Sequence, residues 1–382
     1  MATVGIIAEF NPLHKGHEYL ISRGKELGEV VCVISGNFVQ RGDTAVCSKE
    51  IRVKSALMAG ADLVAELPVL WSMSTAQNFA LGGVSSLVAL GCDTLIFGSE
   101  EGEISPLLEI ADILLSEEFS VCLNDYLKEG MTFAAARQKA CEDLGAKKGV
   151  LGRPNNNLGI EYIVAARRLG ADLKFETVKR RGADHDSADL GEFVSASLLR
   201  EKLLKNDRAF CLKYISKEML DLYKQENLSD IKRLETAILS TLRTKTPHDL
   251  KKLPDLSEGV ENKLFSAIKV ATDLESLYNE IKVKRYPMAR IRRLVLSAFL
   301  GFDNSYFLKP VPYVRVLGFN DEGCEILKKA TETSKIPIVT KVADIKDTAV
   351  FKTESRATDL YSLSLKNPQE CGREYTFKLI KN

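Results

Sequence analysis

Residues 4–20 read Val4-Gly5-Ile6-Ile7-Ala8-Glu9-Phe10-Asn11-Pro12-Leu13-His14-Lys15-Gly16-His17-Glu18-Tyr19-Leu20, and the order of residue types in this stretch decides the fold. Residues 4–8 form a short apolar, mostly β-branched run, the pattern of a parallel strand covered on both faces. Asn11-Pro12 stops that strand, and helical spacing takes over at 15–27. The helix opens on H-x-G-H. His14 and His17 stand three residues apart, on one face of the first turn, where imidazole N–H groups and free backbone amides point the same way and the helix dipole favours an anion. Gly16 lets such a ligand approach closely. An isolated pair of this spacing also fits half a metal site or two surface histidines; its place directly after a first strand favours a nucleotide.

Outward from this stretch the strand pattern recurs at 30–34, 63–67, 94–97 and 174–179. Helical spacing separates these runs at 48–59, 76–90 and 160–169, and Ser48 is placed to cap the first of them. The alternation specifies an α/β fold, a doubly wound parallel sheet that binds its ligand at the carboxyl ends of the strands. From about residue 197 the pattern turns helical, in Lys/Glu-rich segments at 213–225, 228–241 and 258–271. Residues 281–296 are a strongly basic approach to an apolar helix. Beyond Pro310 and Pro312, a strand at 313–317, a helix at 322–330 and a strand at 336–340 suggest a small α/β C-terminal piece. The expected division is a catalytic nucleotide-binding domain over 1–205, a basic helical region over 206–305, and the C-terminal region over 306–382.

Composition narrows the class. With 45% hydrophobic and 27% charged residues in 382, the chain is long enough for more than one domain and reads as an ordinary globular protein, neither fibre nor disordered array. No run approaches the roughly 18 apolar residues of a membrane span, and the N-terminus lacks a basic leader, so a cytoplasmic location is the expectation. The eight cysteines are scattered without a C-x-x-C pair, which suits reduced thiols. The net charge of +1 divides unevenly. Residues 1–150 carry 12 Lys+Arg against 20 Asp+Glu, and residues 151–382 carry 41 against 32. An excess of cations in the distal part is the trace left by contact with phosphate backbones.

A second motif, Val194-Ser195-Ala196-Ser197-Leu198-Leu199-Arg200, is a hydroxyl-rich helix start with an arginine one turn on. Hydroxyls, amides and a guanidinium fork in this arrangement can clasp the β- and γ-phosphates of a nucleotide; taken alone, the motif also fits a Ser N-cap with a solvated Arg.

With the H-x-G-H turn, this element resembles the nucleotidyltransferase superfamily. The strings Ser35-Gly36-Asn37-Phe38-Val39-Gln40-Arg41-Gly42, Ala61-Asp62-Leu63-Val64-Ala65-Glu66-Leu67-Pro68, Phe97-Gly98-Ser99-Glu100, Pro154-Asn155-Asn156 and Asp184-His185-Asp186 are similar, more narrowly, to the bacterial tRNA(Met) cytidine acetate ligase family. The resemblance implies that ATP activates acetate as acetyl-adenylate, with Mg²⁺ bound through the ATP phosphates and no metal ligand of the protein's own. The acetyl group then passes to N4 of the wobble cytidine (position 34) of elongator tRNA(Met), without acetyl-CoA. It also implies that residues 7–20, quoted above from Ile7 to Leu20, wrap the ATP, with further contacts from Gly98, Asn155, Arg180 and Arg181. His14, His17 and Arg200 are the expected catalytic groups, and Ser195, Ser197 and Arg200 the expected phosphate ligands.

The sequence departs from the family pattern at Leu13, Lys15, Asn157 and Arg181. Arg41 and Gln40, on the loop after the second strand, suit either the acetate carboxylate or the tRNA. His185 reads as a structural histidine or as a base for the cytidine amine. The basic stretch Lys282, Lys284, Arg285, Arg290, Arg292 and Arg293, beside Tyr286, is the expected tRNA surface. Two other functions share the fold: adenylyl transfer to a phosphorylated metabolite, which leaves the basic distal part unexplained, and RNA binding without catalysis, which does not call for both histidines.

Overall fold

The computed structural model describes residues 2–180, 194–224, 227–257, 259–283 and 285–381. Among these residues ten strands are present: β1 (Ala2–Ala8), β2 (Gly28–Ser35), β3 (Phe38–Val39), β4 (Asp43–Thr44), β5 (Leu63–Leu67), β6 (Thr94–Ser99), β7 (Lys174–Lys179), β8 (Val314–Phe319), β9 (Ile338–Val339) and β10 (Ile380–Lys381). Eight of them make one sheet in the order β10-β8-β5-β2-β1-β6-β7, with β9 on β8, while β3 and β4 form a small hairpin. From β5 to β7 every pairing is parallel, with Val4 opposite Val30 and Gly98 opposite Val178. The chain runs from β1 out to β2 and β5, then returns to the other side of β1 for β6 and β7. The carboxyl ends of β1 and β6 therefore flank the switch point, where doubly wound sheets hold their ligands.

Alternation along the strands builds two apolar layers. Ile7, Val31 and Val33 face one side, against Phe79 and Val84 of the helix Ala76–Ala89 and Ile160 and Ile163 of the helix Pro154–Arg168. Val4, Ile6, Val30 and Cys32 face the other, against Ile21 of the helix Lys15–Leu27 and Val53 and Ala56 of the helix Lys49–Met58, which Ser48 caps as expected. No helix among the described residues is long and apolar enough to cross a membrane.

Three sequence expectations change. The C-terminal strands make no sheet of their own: β8 runs antiparallel beside β5, with Leu63 opposite Phe319, and β10 closes the edge. Buried on both faces, Val314 to Leu317 could not stand as an independent edge. The catalytic layer also runs past residue 205. Cys211, Tyr214, Met219, Leu220 and Tyr223 pack into the same core as Phe10 and Leu13, and the Tyr223 hydroxyl donates to the Leu13 carbonyl at 3.2 Å. Finally, the helix expected over 160–169 begins earlier, at Pro154, because a proline at the first helical position loses no hydrogen bond. Residues 234–302 enclose a separate helical core that reaches Phe38 and Tyr361.

Candidate active site

β1 ends at Ala8, and the chain turns sharply through Phe10, which has φ 47°, and a cis Asn11–Pro12 bond. A left-handed conformation is unusual for a bulky residue, and here the wholly buried phenyl ring anchors it. His14 then caps the first helix, its Nδ1 accepting from the Gly16 amide at 3.1 Å. With Nδ1 an acceptor, the proton sits on Nε2. The His14 and His17 rings stack with centroids 3.9 Å apart, and Phe10 stands edge-on to His17 at 5.2 Å.

Stacked so closely, the two imidazoles cannot both be cationic. Burial drives the His14 pKa down to about 4, assisted by the nearby Arg180 charge. Burial likewise holds His17 well below the ordinary value, with His14 and Arg180 adding to the effect. Both rings are neutral N–H donors at physiological pH. Two buried atoms in the turn, Asn11 Nδ2 and His17 Nδ1, meet no hydrogen-bonding partner at ordinary distance among the described residues. Buried polar atoms left open in this way mark a place prepared for a polar ligand.

Arg200 closes the turn from the side. Its Nη1 donates to the Asn11 carbonyl and its Nη2 to Ser197 Oγ, both at 3.0 Å, while Ser195 caps the helix Ala196–Leu204 by accepting from the Leu198 amide. The two motifs thus meet across 189 residues of chain. Glu9 accepts from the Gln40 amide at 2.9 Å. Burial raises the Glu9 pKa, opposed by that hydrogen bond and by the charges of Arg200, Arg41 and Arg52.

The opposite wall comes from β6 and β7. A Cβ on Gly98 would lie 3.3 Å from Arg180 Cγ, so the bare backbone leaves room beside the arginine. Arg180 Nη1 donates to Asn155 Oδ1 at 3.3 Å. The Asn155 side chain and amide both donate to Glu100, as does the Asn156 amide. Although burial opposes it, these hydrogen bonds hold the Glu100 carboxyl below its usual range.

His14, His17, Gly98, Asn155, Arg180, Ser195, Ser197 and Arg200 are therefore gathered around the carboxyl ends of β1, β6 and β7. The side chains of residues 15–20 are less uniform. Lys15 donates to the Lys213 carbonyl, Glu18 accepts from Ser216, Tyr19 is exposed, and Leu20 packs against the core, while the amides expected to be free at Gly16, His17 and Glu18 all donate to His14. Arg181 and the Asp184-His185-Asp186 string lie outside the described residues, as does Lys284.

The basic helix, Met288–Leu300, is turned more inward than its composition suggested. Arg290 donates to the Asp255 carbonyl and to Ser257, and Arg293 to Asp255 Oδ2 and the Gln40 carbonyl. Tyr286 is buried beneath Arg290, so it is not open for stacking on a base. Arg292 is exposed.

Sequence reading missed two structural elements of the site. Arg52 is wholly buried and donates to the carbonyls of Glu9, Ser35, Gly36 and Cys47, tying together the carboxyl ends of β1 and β2. An arginine on the sheet-facing side of an apolar helix was the available signal. Glu100 accepts from the first-turn amides of the helix Pro154–Arg168, a contact across some 55 residues that no local pattern records.

Comparison with known proteins identifies the family. A family model described as HIGH Nucleotidyl Transferase matches residues 1–375. A protein of Thermoanaerobacter sp. (strain X514) named tRNA(Met) cytidine acetate ligase is 38% identical over 402 aligned positions, covering all of both chains. One of the same name from Caldanaerobacter subterraneus subsp. tengcongensis is 39% identical, covering 96% of each. Crystal structures of Thermotoga maritima TmcAL, one bound with alpha-thio ATP and one apo, superpose with TM-scores of 0.89 and 0.91 at 28% identity over the whole of both chains.

Proposed function

The chain belongs to the tRNA(Met) cytidine acetate ligase family of HIGH nucleotidyltransferases, and we propose that it activates acetate with ATP and acetylates N4 of the wobble cytidine of elongator tRNA(Met). One observation carries this reading: the neutral, stacked His14–His17 pair and Arg200 converge on one turn at the switch point of the sheet. In the first step an acetate oxygen attacks the α-phosphorus of ATP, the bond to the β-phosphate breaks, and pyrophosphate leaves. Charge grows on the phosphoryl oxygens, where His14 Nε2–H and the remaining N–H groups of Arg200 supply the stabilising donors in this scheme. Neutral imidazoles suit this role, since they stabilise developing charge without first being locked to the substrate as ion pairs. In the second step the cytidine N4 attacks the acetyl carbonyl, AMP leaves, and the amine gives up a proton.

Mg²⁺ is assigned to the ATP phosphates. The three-carboxylate group that could hold a cation, Glu66, Glu354 and Glu374, is already filled by Lys49 and Arg315. Acetyl-CoA is not the donor in this scheme, and the reaction belongs in the cytoplasm with its tRNA. Mass spectrometry of nucleosides from treated tRNA(Met) tests the whole reading: N4-acetylcytidine should form with ATP and acetate, and its formation from acetyl-CoA without ATP would refute it.

A further inference from the structure

A second cavity lies on the far side of the loop that braces the nucleotide turn. That loop has two faces. Val46 donates to Asn11 Oδ1 at 2.8 Å on the nucleotide side, whereas Asn37 donates to Thr358 Oγ1 at 2.8 Å and Ala45 accepts from the Tyr361 hydroxyl at 2.9 Å on the other. Asn37, Thr358 and Tyr361 line a cavity of about 480 Å³, within the range that takes a ligand of nucleotide size.

Its charges are distributed unevenly. The floor carries Lys49 and Glu374, both buried and paired with each other, so it contributes little net charge. Lys54, on the rim, is neutralised by Glu50. Arg373 and Lys378, from the last segment of the chain, also line the cavity; both are exposed and neither side chain has a partner among the described residues. The cavity thus combines hydrogen-bonding side chains with two uncommitted cations, which is the complement of a phosphate-bearing nucleotide.

We propose that this cavity binds a nucleotide of the RNA substrate flanking the acetylated one, with Arg373 and Lys378 holding its phosphate. The inference takes its ligand from the tRNA-acetylating reading above. Because the cavity and the nucleotide turn share the loop 37–46, RNA seated here lies beside the adenylate site without occupying it.

The test uses the full chain carrying Arg373→Glu and Lys378→Glu together, with tRNA(Met) as probe. Both positions are exposed, so the fold should persist, and acetate-dependent adenylation without tRNA should be unchanged. Affinity for tRNA should fall about tenfold or more at moderate salt. The slope of log affinity against log salt should become shallower by about 0.7 to 0.9, the loss expected for one neutralised phosphate. Arg373→Lys with Lys378→Arg should retain binding. Unaltered tRNA affinity and salt slope in the charge-reversed protein would overturn the cavity assignment while leaving the ligase reading intact. Failure of the wild-type protein to bind tRNA would overturn both.

Discussion

The Arg200 guanidinium donates to the main-chain carbonyl of Asn11 at 3.0 Å, joining the late helix to the turn that presents the two histidines. Three of its five N–H groups remain to meet phosphate even after Ser197 takes a second. Arg200→Lys keeps the charge but loses the fork. Its adenylation rate should fall by at least about tenfold with a rise in KM for ATP, read by steady-state kinetics.

His14→Ala and His17→Ala should each lower the adenylation rate by about 10² to 10³, the usual loss when one transition-state donor is removed. Affinity for ATP should change much less. A folded variant with full activity would remove that histidine from the mechanism.

The His14 pKa gives a pH dependence with a definite sign. Its folded value of about 4 lies below the ordinary 6.5, so between these values the unfolded chain binds more protons than the folded one. Stability conferred by the neutral ring is complete above about pH 6.5 and is lost as the pH falls toward 4, in all by about 3 kcal/mol. Denaturant unfolding from pH 7 to 4 should therefore be steeper in pH for the wild type than for His14→Asn, and equal slopes would contradict the burial argument.

The five-charge cluster behind the sheet makes an opposite pair of predictions. Burial and the neighbouring Glu66 raise the Glu354 pKa to about 8, whereas Lys49 and Arg315, acting against burial, hold Glu374 ionised. Glu354 therefore keeps a proton in the folded state that the unfolded chain releases above about pH 4.5, and its stability contribution declines as the pH rises toward 8. Glu354→Gln should gain stability relative to wild type across that interval, its amide oxygen still accepting from Val69. Glu374→Gln leaves the buried Lys49 and Arg315 to share the Glu66 carboxylate, one negative charge short, and should cost about 3 kcal/mol or more.

On the helix Met288–Leu300, charge reversal should separate inward from outward arginines. Arg292→Glu should weaken tRNA binding and flatten its salt dependence while leaving adenylation alone. Arg293→Glu breaks the contacts with Asp255 and Gln40, so it should lower thermal stability as well. Identical effects from both would contradict the placement of their side chains.

What the sequence made legible follows from which interactions are local. Val4 to Ala8, Asn11-Pro12 and the H-x-G-H turn lie within one short segment, so strand, turn and helix could be read from neighbours alone. The extended Pro154 helix and the separated segments at 208–214 and 217–224 also depend on local caps and turns, but those signals were diluted by polar residues. The pairing of β8 with β5 depends on residues some 250 positions apart, and no periodicity records it. Likewise, Arg290 and Arg293 look like a solvated basic stripe until Asp255, on a distant turn, is brought against them. Net charge along the chain was informative about class, but not about which cations the fold itself consumes.

The central claim, that the His14–His17 turn forms an acyl-adenylate from a free carboxylic acid, is tested most directly by ATP–pyrophosphate exchange without tRNA. The exchange should require acetate, proceed without coenzyme A, and fall by about 10² to 10³ in His14→Ala and His17→Ala. Exchange that proceeds equally without acetate, or that survives both substitutions in folded protein, would contradict the account.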